Sequence, residues 1–278
     1  MNRIDNRICV VTGATQGLGA AIARRFAAAG AAGITITGRN ETRGTTLARE
    51  ISERYGAPVL FIRADLESVA DCRAVIAQTH ERFGRVDVLV NAGALTQRGT
   101  ILNTDPDLFD RIFATNVRGP YFLMQEAIRH MIRDGIAGAI CNIGSISALS
   151  GQPFISAYCA SKGALATLTA NTAFSVMGNR IRVNQLNIGW MASDKEQEIQ
   201  MTETNDPDWM EKAAAKLPFG RLVSPEEVAR AVNFLVSDDA GLMTGAIVNF
   251  DQSVWGATAR GMPTPERPMH WPPDSVSI

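Results

Sequence analysis

A single doubly wound α/β domain, with a seven-stranded parallel sheet flanked by helices, is the architecture this sequence predicts. Three observations point to it. Short β-branched apolar runs alternate with stretches of helical periodicity from residue 7 to residue 250, the signature of a parallel sheet covered on both faces. No linker or internal repeat divides the 278 residues, a length that one large domain with a substantial core accommodates. The residues best suited to ligand binding fall just after the strand-like runs, where sheets of this kind hold their ligands.

The elements follow in order. Arg7-Ile8-Cys9-Val10-Val11 is short, apolar and β-branched, so it reads as a buried strand within 7–12. The glycine-rich stretch Thr12 to Gly19 follows, then a helix over 18–29 in which Ile22 and Phe26 share a face. Further strands are expected at 33–37, 58–62, 86–91, 138–144, 180–186 and 246–250. Further helices are expected at 41–55, 67–83, 107–133, 156–177 and 225–237. The last is announced by Ser224-Pro225-Glu226-Glu227, a cap residue followed by proline and two acids. The polar stretch from Ser193 to Lys216 interrupts this rhythm. After residue 255 the chain is rich in proline (Pro263, Pro265, Pro268, Pro272, Pro273), which excludes a regular helix or central strand over 256–278.

Composition removes several function classes. Twenty-seven basic and 28 acidic side chains give a formal net charge of −1 with no basic cluster, so nucleic acid is not an expected partner. No apolar run reaches membrane-spanning length and the N-terminus lacks an apolar secretory core, so no membrane association and a cytoplasmic address are expected. Cys9, Cys72, Cys141 and Cys159 are scattered, and His80, His130 and His270 read as isolated. No metal site is expected from them.

Tyr158 and Lys162 stand four residues apart in a helical run and so share a face. An ammonium beside a phenol favours the phenolate, which suits proton transfer near neutral pH. The turn Gly13-x-x-x-Gly17-x-Gly19 lies between a strand and a helix. That layout aims backbone N–H groups and a helix N-terminus at a phosphate. Ser145, at the end of a strand-like run, offers a hydroxyl to a substrate oxygen.

Together these residues resemble the short-chain dehydrogenase/reductase family. Its glycine turn matches Thr12 to Gly19, its Asn-Ala-Gly motif matches Asn91-Ala92-Gly93, and its Tyr-x-x-x-Lys pair matches Tyr158 and Lys162. Its catalytic Asn and Ser match Asn116 and Ser145, and the resemblance covers roughly residues 5–253. The resemblance implies a Rossmann-like domain over 1–255, with a substrate loop at 190–216 and a separate tail. It implies Tyr158 as general acid/base, Lys162 as its electrostatic partner and ribose ligand, Ser145 as holder of the substrate oxygen, and Asn116 as anchor of a relay water. It implies a nicotinamide dinucleotide lying on Gly13, Thr15, Gln16, Gly17, Leu18 and Gly19, with Asp65 and Leu66 at the adenine. Asn91, Ala92 and Gly93 would line its adenosine side, and Gly189 and Ser193 its nicotinamide.

Within that resemblance, the cofactor choice follows from charge. A carboxylate after the second strand would accept the ribose 2′-hydroxyl and repel a 2′-phosphate. Here Gly38 takes that place and Arg39 follows, so NADP is expected to be preferred, with NAD possible. The family's usual proline after the sixth strand is replaced by Ile188. Ser147, Gln152, Phe154, Trp190 and Met191 are the expected substrate pocket, a mixture that suits a polyol, a sugar, a hydroxy acid or a small cyclic ketone. The Val254-Trp255-Gly256 ending resembles bacterial sugar and polyol dehydrogenases of the family. The alternatives are a 3-oxoacyl thioester reductase, with Arg98, Arg111 and Arg118 as candidate carrier contacts, and a non-catalytic NAD(P)-binding regulator. Small residues along 157–170 fit a close helix contact in a homotetramer or homodimer.

Overall fold

The computed structural model describes residues 3–255, so the proline-rich stretch at 256–278, with His270, lies outside the described residues. The strands are β1 (Ile8–Val11), β2 (Gly33–Gly38), β3 (Val59–Arg63), β4 (Val88–Asn91), β5 (Ala139–Ser145), β6 (Arg182–Ile188) and β7 (Ile247–Phe250). All pair in parallel in the order β3-β2-β1-β4-β5-β6-β7. The order reverses between β1 and β4, which opens a crevice beyond their carboxyl ends.

The helices are α1 (Gly17–Ala28), α2 (Glu41–Tyr55), α3 (Val69–Phe83), α4 (Pro106–Phe113), α5 (Gly119–Arg133), α6 (Ser147–Ser150), α7 (Ser156–Val176), α8 (Asp194–Thr204), α9 (Trp209–Ala215) and α10 (Pro225–Val236). Strand alternation assigns them to two layers. Cys9, Val11, Val90 and Cys141 point to one face, where Ile22, Phe26, Ile51 and Val232 of α1, α2 and α10 cover them. Val10, Leu89 and Ile140 point to the other, against Val75, Leu123, Met131 and Val176 of α3, α5 and α7. Burial on both faces is why these strands read as continuous apolar runs.

Local chemistry sets the helix starts. Asn40, Ser68 and Asp105 accept backbone N–H groups in the first turns of α2, α3 and α4. Ser224 and Glu227 form the reciprocal capping box of α10.

Two expectations need correction, and a third segment gains its structure. The helix expected over 107–133 is broken by a π-helical segment, Ala114–Arg118, in which the Gly119 N–H reaches the Ala114 carbonyl. Asn116, inside it, is clamped from two other elements, which outweighs local helical periodicity. The strand expected at 180–186 runs instead from Arg182 to Ile188, pairing Ile188 with both Ser145 and Phe250. Isoleucine continues the strand where proline would have removed a donor. The polar stretch after Ser193 folds as α8 and α9 around a small apolar cluster of Trp209, Ala213 and Leu222.

A ladder of buried amides crosses the middle of the sheet. Asn91 Nδ2 donates to Asn142 Oδ1 at 2.8 Å, and Asn142 Nδ2 donates to Thr169 Oγ1 at 2.9 Å. Gln185 Nε2 donates to Asn187 Oδ1 at 2.7 Å, and Asn187 Nδ2 to Asn249 Oδ1 at 3.0 Å. Truncating Asn142 to alanine would leave the Asn91 amide without its acceptor in the interior and open a cavity beside Thr169. The expected loss is about 2–4 kcal/mol of stability, read from urea unfolding. A loss below about 0.5 kcal/mol would mean that the ladder carries no stability.

Candidate active site

The carboxyl ends of the strands deliver side chains and turns to one crevice of about 1240 Å³. That exceeds the volume of an ordinary small-ligand pocket, about 300–1,000 Å³, and leaves room for a dinucleotide with a small substrate beside it. Of the expected catalytic, cofactor and substrate residues, Asn91 and Asn116 do not line it and the rest do; of the candidate carrier contacts Arg98 lines it, and Arg111 and Arg118 do not.

The floor begins at the glycine turn. Gly13 has φ +63°, and a Cβ there would sit 2.4 Å from Gly93 Cα, so two motif backbones touch at a point that only glycine allows. The first turn of α1 has no side-chain cap and no acidic residue. Its free N–H groups and positive dipole end therefore face the crevice, a cradle suited to a pyrophosphate. The chain's residues fit a dinucleotide on that ground.

The end of β2 explains its missing acid. A Cβ on Gly38 would lie 2.5 Å from Thr15 Cγ2, so a carboxylate there would collide with the glycine turn. Arg39 lines the crevice next to it. Arg43, in the first turn of α2, donates to Gln16 Oε1. A base thus reaches the residue before the middle glycine through space, although the sequence offers none at that position. Asp65 Oδ1 accepts the Glu67 N–H at 3.0 Å, which holds the turn after β3 at the crevice wall.

Ser145 closes β5 and is buried. Its hydroxyl donates to Ser147 Oγ at 3.0 Å, and Ser147 Oγ donates to Gln152 Oε1 at 2.7 Å. Tyr158 and Lys162 enter from α7, with Lys162 Nζ 5.6 Å from the centre of the Tyr158 ring. Lys162 Nζ donates to the Ile143 carbonyl at 2.8 Å. Burial pushes its ammonium down to about 8. Burial likewise pushes the Tyr158 phenol up to about 12, partly offset by a hydrogen bond with Ser145. This reverses the expectation that Lys162 lowers the phenol. Lys162 gives a proton to a backbone carbonyl, and the hydrogen bond that favours the phenolate comes from Ser145.

Two motif asparagines act elsewhere. Asn116 Nδ2 donates to the Leu95 carbonyl and to Ser161 Oγ, both at 3.0 Å, while its Oδ1 accepts the Leu95 N–H at 2.8 Å. Both amide hydrogens are used in joining the turn after β4 to α7, while Oδ1 keeps a second lone pair. Asn91 points across the sheet to Asn142 rather than toward a ligand, because alternation along β4 turns it inward.

The outer wall combines apolar and charged groups. Trp190 Nε1 donates to Glu196 Oε1 at 2.8 Å, and its ring lies 5.9 Å from that of Trp209. Phe154 lies under the Arg98 guanidinium at 4.8 Å. Arg98 in turn makes paired bonds of 2.6 and 2.8 Å to Glu203, tying α8 to the loop after β4. Met191 pairs with Val223 behind the wall. Ser193 caps α8 through the Glu196 N–H at 3.2 Å, and its own proton remains free for a second bond.

Sequence reasoning missed Arg43, Glu196 and the Arg98–Glu203 bridge, all set by contacts between distant segments. It also misread the histidines. His80 and His130 are not isolated: their rings lie 4.6 Å apart at the ends of α3 and α5. All four cysteines are buried and free. Burial raises the thiols of Cys9, Cys72, Cys141 and Cys159 alike, leaving them poor nucleophiles. Among the described residues, no helix is long and apolar enough to cross a membrane.

Comparison with known proteins places this geometry. A family described as enoyl-(acyl carrier protein) reductase matches residues 13–253. The 2-(R)-hydroxypropyl-CoM dehydrogenase of Xanthobacter autotrophicus is 36% identical over 251 residues, covering 88% of this chain and 97% of that protein. Galactitol 2-dehydrogenase of Agrobacterium fabrum is 30% identical over 260 residues, covering 91% and 99%. The solved structure of L-sorbose reductase from Gluconobacter frateurii, complexed with NADPH and L-sorbose, superposes with a TM-score of 0.88 at 27% identity, covering 93% of this chain and 100% of that one. Similarity of this extent means that the chain belongs to the short-chain dehydrogenase/reductase family, and it is an NAD(P)-dependent oxidoreductase acting between secondary alcohol and ketone.

Proposed function

We propose that the protein is an NADP-preferring reductase of small polyhydroxy ketones, with Tyr158 as proton donor, Ser145 as holder of the carbonyl oxygen and Lys162 as the buried group that orients the nicotinamide ribose. The observation that carries this reading is the meeting of Ser145, Tyr158 and Lys162 in the crevice that starts at the open end of α1. The bound dinucleotide would supply the hydride. A phenol pushed up to about 12 is neutral throughout the physiological range and can give its proton to a developing alkoxide. Asn116 acts as a positioning residue, holding Ser161 and so the turn of α7 that carries Tyr158.

The Ser145–Ser147–Gln152 chain supports a hydroxylated substrate. Its donors and acceptors run on from Ser145, the proposed holder of the carbonyl oxygen, and would meet the neighbouring hydroxyls of a ketose. Phe154, Trp190 and Met191 form the opposing apolar wall. The relatives that act on galactitol and L-sorbose agree with this chemistry. The thioester alternative loses ground on charge: Arg98 is paired with Glu203 and Arg111 with the Glu67 carboxylate, while Arg118 donates to the Glu67 backbone carbonyl. A regulator without turnover would have no use for a buried lysine beside a neutral phenol. A homotetramer remains our reading of the assembly, supported by the open face at Gly163 and exposed Phe174 on α7.

NADP preference rests on Arg39 and Arg43 together. The test is a carbonyl panel of ketoses, hydroxy ketones, cyclic ketones and 3-oxoacyl thioesters, run with NADPH and NADH. Ketose reduction with NADPH is the expected result; turnover confined to the thioesters would overturn the substrate, and tighter use of NADH would overturn the cofactor. Arg39→Asp is expected to weaken NADPH by about tenfold or more, the scale of one charge-assisted bond, while leaving NADH within a few-fold.

A further inference from the structure

At the edge of the sheet opposite the crevice, a second group of chemically capable side chains meets. His80 lies in the last turn of α3, His130 in the last turn of α5, and Asp134 just beyond α5. His80 Nε2 is 3.0 Å from Asp134 Oδ2. Arg133 Nη2 is 2.8 Å from His80 Nε2 and 2.8 Å from His130 Nδ1. The three ligand-type atoms of His80, His130 and Asp134 all lie within 4.8 Å of one another. They converge where a positively charged nitrogen already sits.

One contact in that arrangement cannot be satisfied by the side chains alone. If His80 Nε2 bears a proton, it can donate to Asp134, but then two N–H groups oppose each other at Arg133. If Nε2 bears a lone pair, it accepts from Arg133 but faces the carboxylate oxygen. Arg133 also donates to Asp134, Nε to Oδ1 at 2.8 Å and Nη2 to Oδ2 at 3.2 Å, so in the second case the guanidinium serves both rings and the carboxylate, and only the 3.0 Å approach of His80 to Asp134 lacks a proton. A metal ion removes the conflict, because imidazole lone pair and carboxylate both point at the same cation. The other nitrogen of His130, Nε2, lies 3.6 Å from Glu126 Oε1. A carboxylate behind a ring is how proteins hold the proton on the far nitrogen and free the near one for a metal. Finally, two helix carboxyl ends point at this position, and both favour a cation there.

We propose that His80 Nε2, His130 Nδ1 and Asp134 Oδ2 form a binding site for one divalent transition-metal ion, zinc foremost, with water completing a tetrahedron and the Arg133 side chain moving out to solvent. Two imidazoles and one carboxylate are a donor set that zinc accepts and that magnesium and calcium do not favour. The ion would cross-link α3 to α5. Lying at the amino-terminal edge of the strands, it would act on stability and not on turnover.

The test is zinc titration of the metal-stripped full-length protein by calorimetry, with cobalt absorption as a reporter of tetrahedral coordination. Saturable binding of one ion per chain and a rise in Tm with added zinc are expected. Each of His80→Ala and His130→Ala should abolish both. Glu126→Gln should weaken binding by about 10–100-fold, the usual cost of losing an outer partner. Arg133→Ala, which removes the competing guanidinium, should tighten it. Absence of saturable binding in the unaltered protein would overturn the proposal. So would binding that survives both histidine variants, which would put the ion elsewhere, for example at His270.

Discussion

Replacing Tyr158 by phenylalanine is expected to reduce turnover by at least about a hundredfold, the scale of losing a general acid, while NADPH binding stays within a few-fold. The reasoning is geometric. Phenylalanine keeps the ring that packs beside Lys162 and removes one oxygen. The glycine turn, the open end of α1 and Arg39 belong to other elements and are untouched. Only the proton donor is lost. Steady-state kcat on an accepted ketone, together with fluorescence titration of NADPH, separates the two effects. Turnover near the unaltered value would end the assignment. A parallel loss of NADPH binding would show that the hydroxyl serves the cofactor rather than the proton transfer. Because the phenol sits at about 12, ketone reduction should not fall with Tyr158 ionisation anywhere below pH 10.

Lys162→Met is expected to make the protein more stable and catalytically poor, two large effects of opposite sign. Lys162 is 3% exposed, and burial lowers its ammonium to about 8. The folded pKa lies below the unfolded one. Between pH 8 and the ordinary lysine range, the unfolded chain therefore binds more protons, and stability rises with pH through that window. Below pH 8 the folded chain carries the whole cost of the buried charge, at most about 3 kcal/mol at 1.36 kcal/mol per pKa unit. Methionine removes that cost and leaves the Ile143 carbonyl without its donor, which costs about 1 kcal/mol. A net gain of about 1–2 kcal/mol at pH 7 is expected from chemical denaturation without cofactor. The pH-dependent rise that Lys162 contributes should vanish in the variant. Activity should fall at least about a hundredfold, because the ribose loses its buried donor and the site its charge. A variant that is less stable at pH 7 would show that the Lys162–Ile143 bond outweighs desolvation. A variant that is fully active would remove Lys162 from the mechanism.

Much of the fold could be read from the chain because its signals are local. A buried parallel strand is a short β-branched run, and a turn that admits a pyrophosphate needs glycine at fixed offsets, as at Gly13, Gly17 and Gly19. Tyr158 and Lys162 share a helical face by spacing alone, and Ser145 ends a strand that composition announces. The failures all involve partners distant in sequence. Periodicity carried one helix through 107–133, but the clamp of Asn116 to Leu95 and Ser161 inserts a π turn. Asn91 reads as a ligand contact until its register beside Asn142 turns it inward. Gln16 reads as an uncharged position until Arg43 arrives from α2.

The sequence by itself determined all seven strands to within about two residues, most of the helices, where the glycine turn lies, and which hydroxyl, phenol and amine share one end of the sheet. These follow from spacing within a few residues and from the side-chain period of each element. Only the tertiary structure decided the burial of Tyr158 and Lys162, the approach of Arg43 to Gln16, the amide ladder through the sheet and the meeting of His80 with His130. Desolvation and pairing depend on what the rest of the chain brings alongside a group, and no local spacing encodes that neighbour.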